Sequence, residues 1–552
     1  MNDPVAYPKA GGLLVAGLCI LTACGAPHPE MGGSNSRPNI LLLVADDLGY
    51  ADLGSYGGDI STPNIDALAA RGVRFAQFHT APVCAPTRAI LLSGNDNHVA
   101  GMGVQGGGPL AGQPGYEGHL SDRIVPFPQL LQDVGYHTYS VGKWHLGTEP
   151  ENSPTAAGFE RSFNLLQGAS DQFSDIAYSA RDSVSTYWED GEYSAWPKGS
   201  YSTELYTDRL IGFIEEGRVD GQPFFAFAAY TSPHWPLQAP EDYRDRYRGR
   251  YDMGYDRLRE MRFESLQGAG MISEDRQLSP RLDWITPWDD LSAEDQRRES
   301  RKMELYSAMV DNLDFHVGRL LGFLEDAGLL ENTLVVFMSD NGAAAEDFYN
   351  VGGYREWLRR NYDNSYEKMG TSESHVSYGP QWAEAGSAPF LEHKGYAAEG
   401  GIVAPMIVAG PGVTHSGSIE RAYVGVMDLA PTFLDLAGAS YPGSRGTSAT
   451  RPMTGTSLLP LLAGDTDRVH DGSEVLALAL GRHAFLRIGD WKLVTSAQYE
   501  GDDSFRLYDL SVDPGETTDL ADLNPDRYAE LLDSMNVFRS RVGVLIPEGR
   551  DR

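Results

Sequence analysis

The segment from Cys84 to Gly94 carries a cysteine and an arginine at a spacing that suits nucleophilic chemistry. It reads Cys84-Ala-Pro-Thr-Arg88-Ala-Ile-Leu-Leu-Ser-Gly94. Pro86 suits the first position of a helix, which predicts a helix from Pro86 with Cys84 at its N-terminal end. Unpaired backbone N–H groups and the positive end of the helix dipole favour a thiolate or an anionic oxygen there. Arg88, one turn further on, can direct its guanidinium to the same point.

Four oxygen-bearing side chains form a candidate metal site. Asp46 and Asp47 follow one apolar run, and Asp340 and Asn341 follow another. Three carboxylates and a carboxamide suit a hard cation, and their flexible geometry favours Ca²⁺ over Mg²⁺. Histidine and cysteine are not clustered at zinc spacing, which argues against zinc. Each acid taken alone would be interpreted as a helix cap or a turn residue, but the repeated pattern after two apolar runs favours metal binding.

The elements that would bring these residues together are strands of one sheet. Short apolar runs alternate with helical stretches, which predicts an α/β fold with a large, mostly parallel sheet sandwiched by helices. Continuous apolar runs, typical of strands buried on both faces, occupy residues 39–45, 136–141, 223–230 and 333–339. Each ends in polar residues, and open α/β sheets bind ligands at the carboxyl ends of their strands. We therefore expect one polar site built from four strand ends.

Two long segments, 241–299 and 343–390, lack strand character. They are either lids that shape a substrate pocket or inert surface insertions, and the sequence leaves both interpretations open. The change of pattern near residue 471 predicts a catalytic domain over 38–470 and a C-terminal subdomain over 471–552.

The C-terminal subdomain has the pattern of a small α+β unit. Three short apolar runs predict an antiparallel sheet: residues 475–480, 484–488 and 491–494. A closing helix is predicted from Asn524 to about Val542, with Asn524 as its cap and Pro525 at its first position.

The 552-residue chain is strongly acidic, with a net charge of −33 from 77 acidic and 44 basic residues. Such a surface repels nucleic acid and anionic lipid, so neither is expected as a partner. It would also repel an anionic substrate in bulk solvent. An enzyme that acts on anions would therefore need a local cluster of cations.

The N-terminal residues have the features of an export signal. Residues 11–23 are apolar but too short for a bilayer, which needs about 20 residues. They end in Leu21-Thr-Ala-Cys24, which resembles the cleavage site of bacterial lipoproteins. We therefore predict a signal peptide over 1–23 and a flexible tether over 24–37.

The same resemblance implies that Cys24 carries a lipid. The protein would then be exported, either periplasmic or anchored at the outer membrane, and would contact the membrane only through its lipid anchor. An ordinary signal peptide with a coincidental cysteine is the alternative. Cys19 would be removed with the signal peptide, so no structural disulfide is expected and Cys84 stays as a lone thiol.

Further short strings follow in a fixed order along the chain. They are Ala45-Asp-Asp-Leu-Gly-Tyr50, Gly142-Lys-Trp-His-Leu-Gly147, Ser232-Pro-His234, Ser339-Asp-Asn-Gly342, Lys394, Glu399-Gly-Gly401, Leu507-Tyr-Asp-Leu510 and Asp513-Pro-Gly-Glu516. Together with the Cys84 motif, this set resembles the formylglycine-dependent sulfatases of the alkaline-phosphatase-like superfamily, and bacterial arylsulfatases most closely. The resemblance extends from residue 38 to about 542. It implies that a maturation enzyme oxidises Cys84 to formylglycine; a buried structural thiol is the alternative.

The resemblance also implies roles for individual side chains. Four residues map onto the family's sulfate-binding and proton-transfer positions: Lys143, His145, His234 and Lys394. One Ca²⁺ would touch the hydrated aldehyde at position 84 and a sulfate oxygen. Arg88 and His145 would help to hold that gem-diol, and Asp340 would assist its deprotonation for attack on sulfur. His234, with Lys394, would protonate the departing alcohol, and His145 would then help to expel sulfate from the sulfo-enzyme intermediate.

The reaction implied is hydrolysis of sulfate monoesters, aryl sulfates in particular, with a carbohydrate sulfate as another candidate substrate. Two alternatives stay open. A phosphonate monoester or phosphodiester hydrolase of the same superfamily can also use formylglycine. A non-catalytic lipoprotein that binds sulfated ligands could keep the fold without acquiring the aldehyde.

Overall fold

The computed structural model describes residues 37–105, 110–177, 184–349, 353–446, 448–495 and 504–545. The predicted signal peptide, Cys24 and residues 24–36 of the predicted tether lie outside the described residues. The predictions of cleavage, lipidation and tethering therefore stay predictions.

The elements of the described residues are numbered in chain order. The strands are β1 (Asn39–Ala45), β2 (Val73–Phe75), β3 (Phe78–His79), β4 (His137–Lys143), β5 (Arg161–Leu165), β6 (Tyr187–Glu189), β7 (Glu192–Tyr193), β8 (Phe224–Ala229), β9 (Thr333–Ser339), β10 (Met406–Ala409), β11 (Ile419–Glu420), β12 (Val424–Gly425), β13 (Ser444–Arg445), β14 (Ser448–Ala449), β15 (Leu476–Leu480), β16 (His483–Ile488), β17 (Trp491–Val494) and β18 (Arg506–Asp509). The α-helices are α1 (Pro63–Arg71), α2 (Cys84–Ser93), α3 (Phe127–Asp133), α4 (Ser202–Gly217), α5 (Glu241–Arg244), α6 (Gly254–Gly268), α7 (Ala293–Asp326), α8 (Tyr354–Asn361), α9 (Pro380–Gly386), α10 (Glu399–Ile402), α11 (Leu429–Ala437), α12 (Leu459–Leu462) and α13 (Pro525–Val542).

A ten-stranded mixed sheet forms the centre of the fold, in the order β11-β2-β10-β9-β1-β8-β4-β5-β6-β7. Its central strands, from β9 through β1, β8 and β4 to β5, are all parallel. Antiparallel pairs occur towards both edges, where β10 joins β9 and β6 joins β5. Helix α3 packs against β4, and α4 packs against β4 and β8. The predicted α/β fold with a large, mostly parallel sheet is confirmed.

Strand β1 lies at the middle of this sheet because its sequence suits burial on both faces. All seven of its residues are buried, as expected for a continuous apolar run in a parallel sheet. It pairs with β9 so that Ala45 lies opposite Ser339, and with β8 so that Val44 lies opposite Ala229. The chain therefore leaves the three strands at the same edge of the sheet.

The four predicted central strands are present with small shifts at their ends. β1 and β9 have the predicted bounds, and β8 is one residue shorter at each end. β4 extends two residues further than predicted, so Lys143 is the last residue of the strand instead of following it.

The C-terminal residues form a separate antiparallel sheet, β15-β16-β17-β18, with α13 packed against it. This unit has an apolar cluster of its own, to which Leu486, Leu493 and Leu531 contribute. The predicted small α+β subdomain is confirmed, while its boundary at residue 471 stays a prediction. Helix α13 begins at Pro525 after Asn524 and ends at Val542, as predicted.

The two segments without strand character contain helices. α5, α6 and the start of α7 lie in 241–299, and α8 and α9 lie in 343–390; no strand occurs among their described residues. Helix α7 has 34 residues, but neither it nor any other helix of the described ranges is apolar enough to cross a membrane.

A buried ion-pair network connects the C-terminal sheet to helix α10. The Nζ atom of Lys492, on β17, lies 2.6 Å from Glu399 Oε1 and 2.7 Å from Glu516 Oε1. Glu399 begins α10, and its other carboxylate oxygen lies 3.1 Å from His79 Nε2. Burial would lower the pKa of Lys492, but the two carboxylates outweigh it and raise the pKa, so the lysine stays charged.

Replacing Lys492 with methionine is expected to lower the free energy of unfolding by about 3–5 kcal/mol, because two buried carboxylates lose their counter-charge. Urea denaturation of the purified protein measures the change. The matched control is Lys198→Met, since Lys198 is exposed, and its effect should stay within about 0.5 kcal/mol. Equal effects of the two substitutions would contradict a stabilising role for the network.

Candidate active site

The candidate site lies where β9, β1, β8 and β4 end side by side. Asp46 and Asp47 follow β1, and Asp340 and Asn341 follow β9. The backbone N–H of Asp340 donates to the carbonyl of Ala45, which holds the two strand ends together. All four polar side chains are buried. The structure therefore brings together the four predicted metal ligands of the two strands.

Cys84 lies at the start of α2, beside these acids. Its Sγ atom is 3.4 Å from Asp46 Oδ1 and 3.7 Å from Asp47 Oδ1. The prediction that the helix begins at Pro86 is wrong, because α2 begins at Cys84 and Pro86 is its third residue. The first turn of a helix has no intrahelical partners for its N–H groups, so it accepts proline at this position too. Cys84 still lies at the N-terminal end, as predicted.

The Cys84 thiol is a poor nucleophile as encoded. Burial raises its pKa well above the usual range, and Asp340 raises it further against the opposing effect of Lys143 and Lys394. Burial and the acids therefore outweigh the stabilisation of a thiolate that we expected from the helix end. Without a metal ion beside it, the thiol is protonated at neutral pH. A protonated thiol does not attack as a nucleophile.

The acids form a group that fits a cation. Ligand atoms of Asp46, Asp47, Cys84 and His234 all lie within 4.8 Å of one another. Asn341 donates from Nδ2 to Asp47 Oδ1 over 2.7 Å, while its Oδ1 atom is buried and has no hydrogen-bond partner among the described residues. A free, buried carboxamide oxygen beside carboxylates is the donor set that a hard cation uses.

The protonation of Asp46 supports the same fit. Burial raises its pKa to about 7; Lys143 lowers it, while Asp340 and Asp47 add to the increase. Burial therefore shifts this carboxyl towards its protonated form. Such a proton is lost when a metal binds.

Three cationic side chains each bind a different carboxylate of the group. Lys143 Nζ lies 2.7 and 2.8 Å from the two oxygens of Asp46, and Arg88 binds Asp340 Oδ2 through Nε and Nη2 at 3.1 and 2.8 Å. Lys394 Nζ lies 2.8 Å from one carboxylate oxygen of Asp47. This is the local cation cluster that an anionic substrate would need on such an acidic protein.

His145 follows β4 and is held in an unusual conformation. Its backbone φ is 62°, a left-handed value that costs energy for a non-glycine residue. Burial lowers the pKa of its imidazole well below the usual range, and Lys143 and Arg88 add to this. The ring is therefore neutral, and its Nδ1 atom has no partner in the described part of the chain.

Gly168 was not predicted as a site residue, but it makes room for the His145 ring. A Cβ atom at Gly168 would lie 2.6 Å from His145 Cε1, too close for two unbonded carbon atoms. Nothing in the sequence around Gly168 indicates this contact, because it depends on how two distant loops pack.

His234 lies beside the carboxylate of Asp47, near the oxygen atom that does not accept from Asn341. Its Nε2 atom is 3.4 Å from Asp47 Oδ2, and its Nδ1 atom is 2.5 Å from the carbonyl oxygen of Trp235. Burial lowers the pKa of His234 to about 3; Asp47 opposes this effect and Lys394 adds to it. At neutral pH the ring is therefore uncharged and donates through only one nitrogen.

Glu346 is a further site residue that the sequence analysis missed. Its Oε1 atom lies 3.0 Å from Lys394 Nζ. Lys394, with His234, outweighs the effect of burial and lowers the pKa of the Glu346 carboxyl, which is ionised. Glu346 belongs to segment 343–390, so this part of the segment contacts the site and is not an inert surface insertion.

The Glu399-Gly-Gly401 string packs directly on the loop that carries Asn341. The Gly342 N–H donates to the carbonyl of Gly401 over 3.2 Å. A Cβ atom at Gly342 would lie 2.1 Å from the carbonyl oxygen of Gly400, so only glycine allows this approach. The two strings that the sequence analysis noted separately therefore form one structural unit.

Comparison with known proteins gives a consistent result. The Sulfatase family matches residues 38–439, and the C-terminal region of N-sulphoglucosamine sulphohydrolase matches residues 391–538. An uncharacterised sulfatase of Schizosaccharomyces pombe is 37% identical over 93% of this chain and 95% of its own length. An arylsulfatase of Klebsiella aerogenes is 37% identical over 81% of this chain and 95% of its own length.

A solved structure shows the same fold. A protein in complex with its substrate D-glucosamine-2-N,6-O-disulfate superposes with a TM-score of 0.59 and 22% identity, covering 94% of this chain and 100% of that one. The family match covers all ten strands of the central sheet and every residue of the candidate site. The chain therefore belongs to the sulfatase family and is a hydrolase of sulfuric esters.

Proposed function

We propose that the protein hydrolyses sulfate monoesters, aryl sulfates among them, through a formylglycine at position 84. The observation that carries this proposal is the position of Cys84, buried at a helix N-terminus within 3.7 Å of two candidate metal ligands, Asp46 and Asp47. The encoded thiol is protonated there and unsuited to attack. A hydrated aldehyde at the same place would present hydroxyl groups to the acids and cations around it.

Conversion of the thiol to an aldehyde is an oxidation, which a formylglycine-generating maturation enzyme would have to carry out. We further propose Ca²⁺ as the resident cation. Asp46, Asp47, Asp340 and Asn341 would hold it, and the buried free oxygen of Asn341 supports that assignment. When bound, the cation would stabilise negative charge on the sulfate oxygens.

We propose that cationic side chains of the site bind the sulfate group. Lys143 and Lys394 would neutralise its non-bridging oxygens, which carry most of the charge in the transition state, and Arg88 would help to hold the gem-diol. Asp340, paired with Arg88, would accept the proton of the attacking hydroxyl. The neutral His145 would accept the second proton, when the sulfated residue 84 breaks down to release sulfate.

The departing alcohol needs a proton donor. His234 is uncharged before substrate binds, since burial lowers its pKa to about 3. In this proposal His234 takes up a proton together with the anionic substrate, whose charge favours the imidazolium form, and then protonates the bridging oxygen. Lys394, charged and close to the same carboxylate, would assist.

The test compares a sulfate ester with phosphorus esters of the same phenol. The purified protein should release nitrophenol from nitrophenyl sulfate with a higher kcat/KM than from the matched phosphodiester or phosphonate monoester. Mass spectrometry of the peptide containing residue 84 should show the aldehyde. The reverse order of kcat/KM, in protein shown to carry the aldehyde, would favour a phosphodiesterase or phosphonate hydrolase and contradict the proposal.

We also propose that the protein is exported and lipid-anchored through Cys24. The support comes from the sequence of the first 24 residues, in which an apolar stretch ends in Leu21-Thr-Ala-Cys24. Protein extracted from membranes should carry a lipid on an N-terminal Cys24, and Cys24→Ser should be recovered without it. An unmodified mature N-terminus in the wild type would contradict the lipid anchor.

A further inference from the structure

Glu346 places a negative charge beside a lysine that we expect to bind sulfate. Lys394 Nζ is shared between Asp47, at 2.8 Å, and Glu346, at 3.0 Å. The side chain of Glu346 is 34% exposed, although its Oε2 atom is buried and has no hydrogen-bond partner among the described residues. One oxygen of this carboxylate is therefore paired with Lys394, and the other has no partner in the described part of the chain.

A carboxylate in this position lowers the affinity for a plain sulfate ester. It neutralises part of the charge of Lys394, and it repels the sulfate group directly. A hydrogen-bond donor on the leaving group would reverse this penalty, because hydrogen bonds to an ionised acceptor are among the strong ones. Such a carboxylate would therefore discriminate between leaving groups with and without a donor of this kind.

Aromatic side chains lie next to the same place. The Trp235 ring lies 4.3 Å from the His234 ring and 4.4 Å from that of Phe348, centroid to centroid. Phe348, like Glu346, belongs to segment 343–390. Such side chains pack equally well against an aryl ring or the apolar face of a sugar ring. Contacts of this kind would not distinguish the two rings, which leaves the choice to Glu346.

We propose that Glu346 selects sulfate esters whose leaving group carries a hydroxyl beside the ester, as carbohydrate sulfates do. The part-exposed carboxylate of Glu346 accepts a hydrogen bond from that hydroxyl and keeps its contact with Lys394. The half-buried Phe348 covers the apolar face of the ring, and the buried Trp235 supports Phe348 from behind. This inference rests on the proposed sulfatase function and specifies the substrate class of that same site.

The test uses two substrates that differ by one methyl group on that hydroxyl. Catechol monosulfate has a free hydroxyl beside the ester, and guaiacol sulfate has the same hydroxyl methylated. Sulfate release is measured for the wild type, Glu346→Gln and the matched control Glu356→Gln, since Glu356 is an exposed acid of the same segment. The glutamine keeps the size of the side chain and removes its charge.

The wild type and Glu356→Gln should prefer catechol monosulfate to guaiacol sulfate by about 10-fold or more in kcat/KM. Glu346→Gln should lower that preference by about 5- to 10-fold and should raise kcat/KM for guaiacol sulfate, from which a repelling charge has been removed. A preference that stays unchanged in Glu346→Gln would overturn the inference and leave the sulfatase function intact. Failure of the wild type to release sulfate from either compound or from nitrophenyl sulfate would overturn the proposed function, and this inference with it.

Discussion

Replacing Cys84 with alanine is expected to lower kcat for sulfate release by roughly 10⁴-fold or more, because removing a covalent nucleophile removes the whole reaction path. The measurement is sulfate release from nitrophenyl sulfate at saturating substrate. Loss of one buried sulfur atom should change stability little, so the melting temperature of the variant serves as a check that it folds. KM is not expected to account for the loss.

Cys84→Ser separates the proposed aldehyde from a simple hydroxyl or thiol nucleophile. In a host that does not modify serine, this variant offers a hydroxyl at the same place and should be as inactive as the alanine variant. Full activity of Cys84→Ser in such a host would contradict the formylglycine mechanism. Wild-type protein shown by mass to keep an unmodified thiol should likewise be inactive, since burial and Asp340 hold the pKa of that thiol well above its usual range.

The central strands were predictable because burial on both faces leaves a simple pattern. Strands β1 and β9 are continuous apolar runs that end abruptly at acids, and their bounds agree with the prediction. Strand β18 was not predicted as a strand, because only Leu507 and Tyr508 are apolar and the charged Arg506 and Asp509 form its two ends. It forms a strand through its pairing with β17, and a tertiary contact of that kind leaves little trace in local sequence.

The proximity of the four candidate metal ligands was predictable for a similar reason, since polar residues at the ends of adjacent parallel strands must meet. The roles of Gly168 and Glu346 were not predictable from the sequence. Gly168 belongs to the site because it has no Cβ atom and so makes room for the His145 ring. Glu346 belongs to the site because its segment folds back onto Lys394. Both depend on the packing of loops, whose paths the sequence pattern does not determine.

Removing the cation is expected to lower kcat/KM by at least about 100-fold, because the cation would stabilise charge on the sulfate oxygens by several kcal/mol. The protein is dialysed against a calcium chelator and assayed with nitrophenyl sulfate before and after metal is restored. Ca²⁺ should restore activity at lower concentration than Mg²⁺, because an all-oxygen site of flexible geometry favours the larger ion. Full activity in the chelated protein would contradict a resident cation.

Thermal stability gives a second measurement that does not depend on catalysis. A ligand that binds only the folded state stabilises it by about 2.7 kcal/mol at 100 times its Kd, so Ca²⁺ should raise the melting temperature of the chelated protein by several degrees. Asp47→Asn should abolish this increase, since Asp47 contacts Cys84, Asn341 and Lys394 at the centre of the site. The exposed Asp242 provides the control, and Asp242→Asn should keep the increase. If calcium raised the melting temperature of Asp47→Asn as much as that of the wild type, its binding site would lie elsewhere, and the buried acids at the ends of β1 and β9 would need a different explanation.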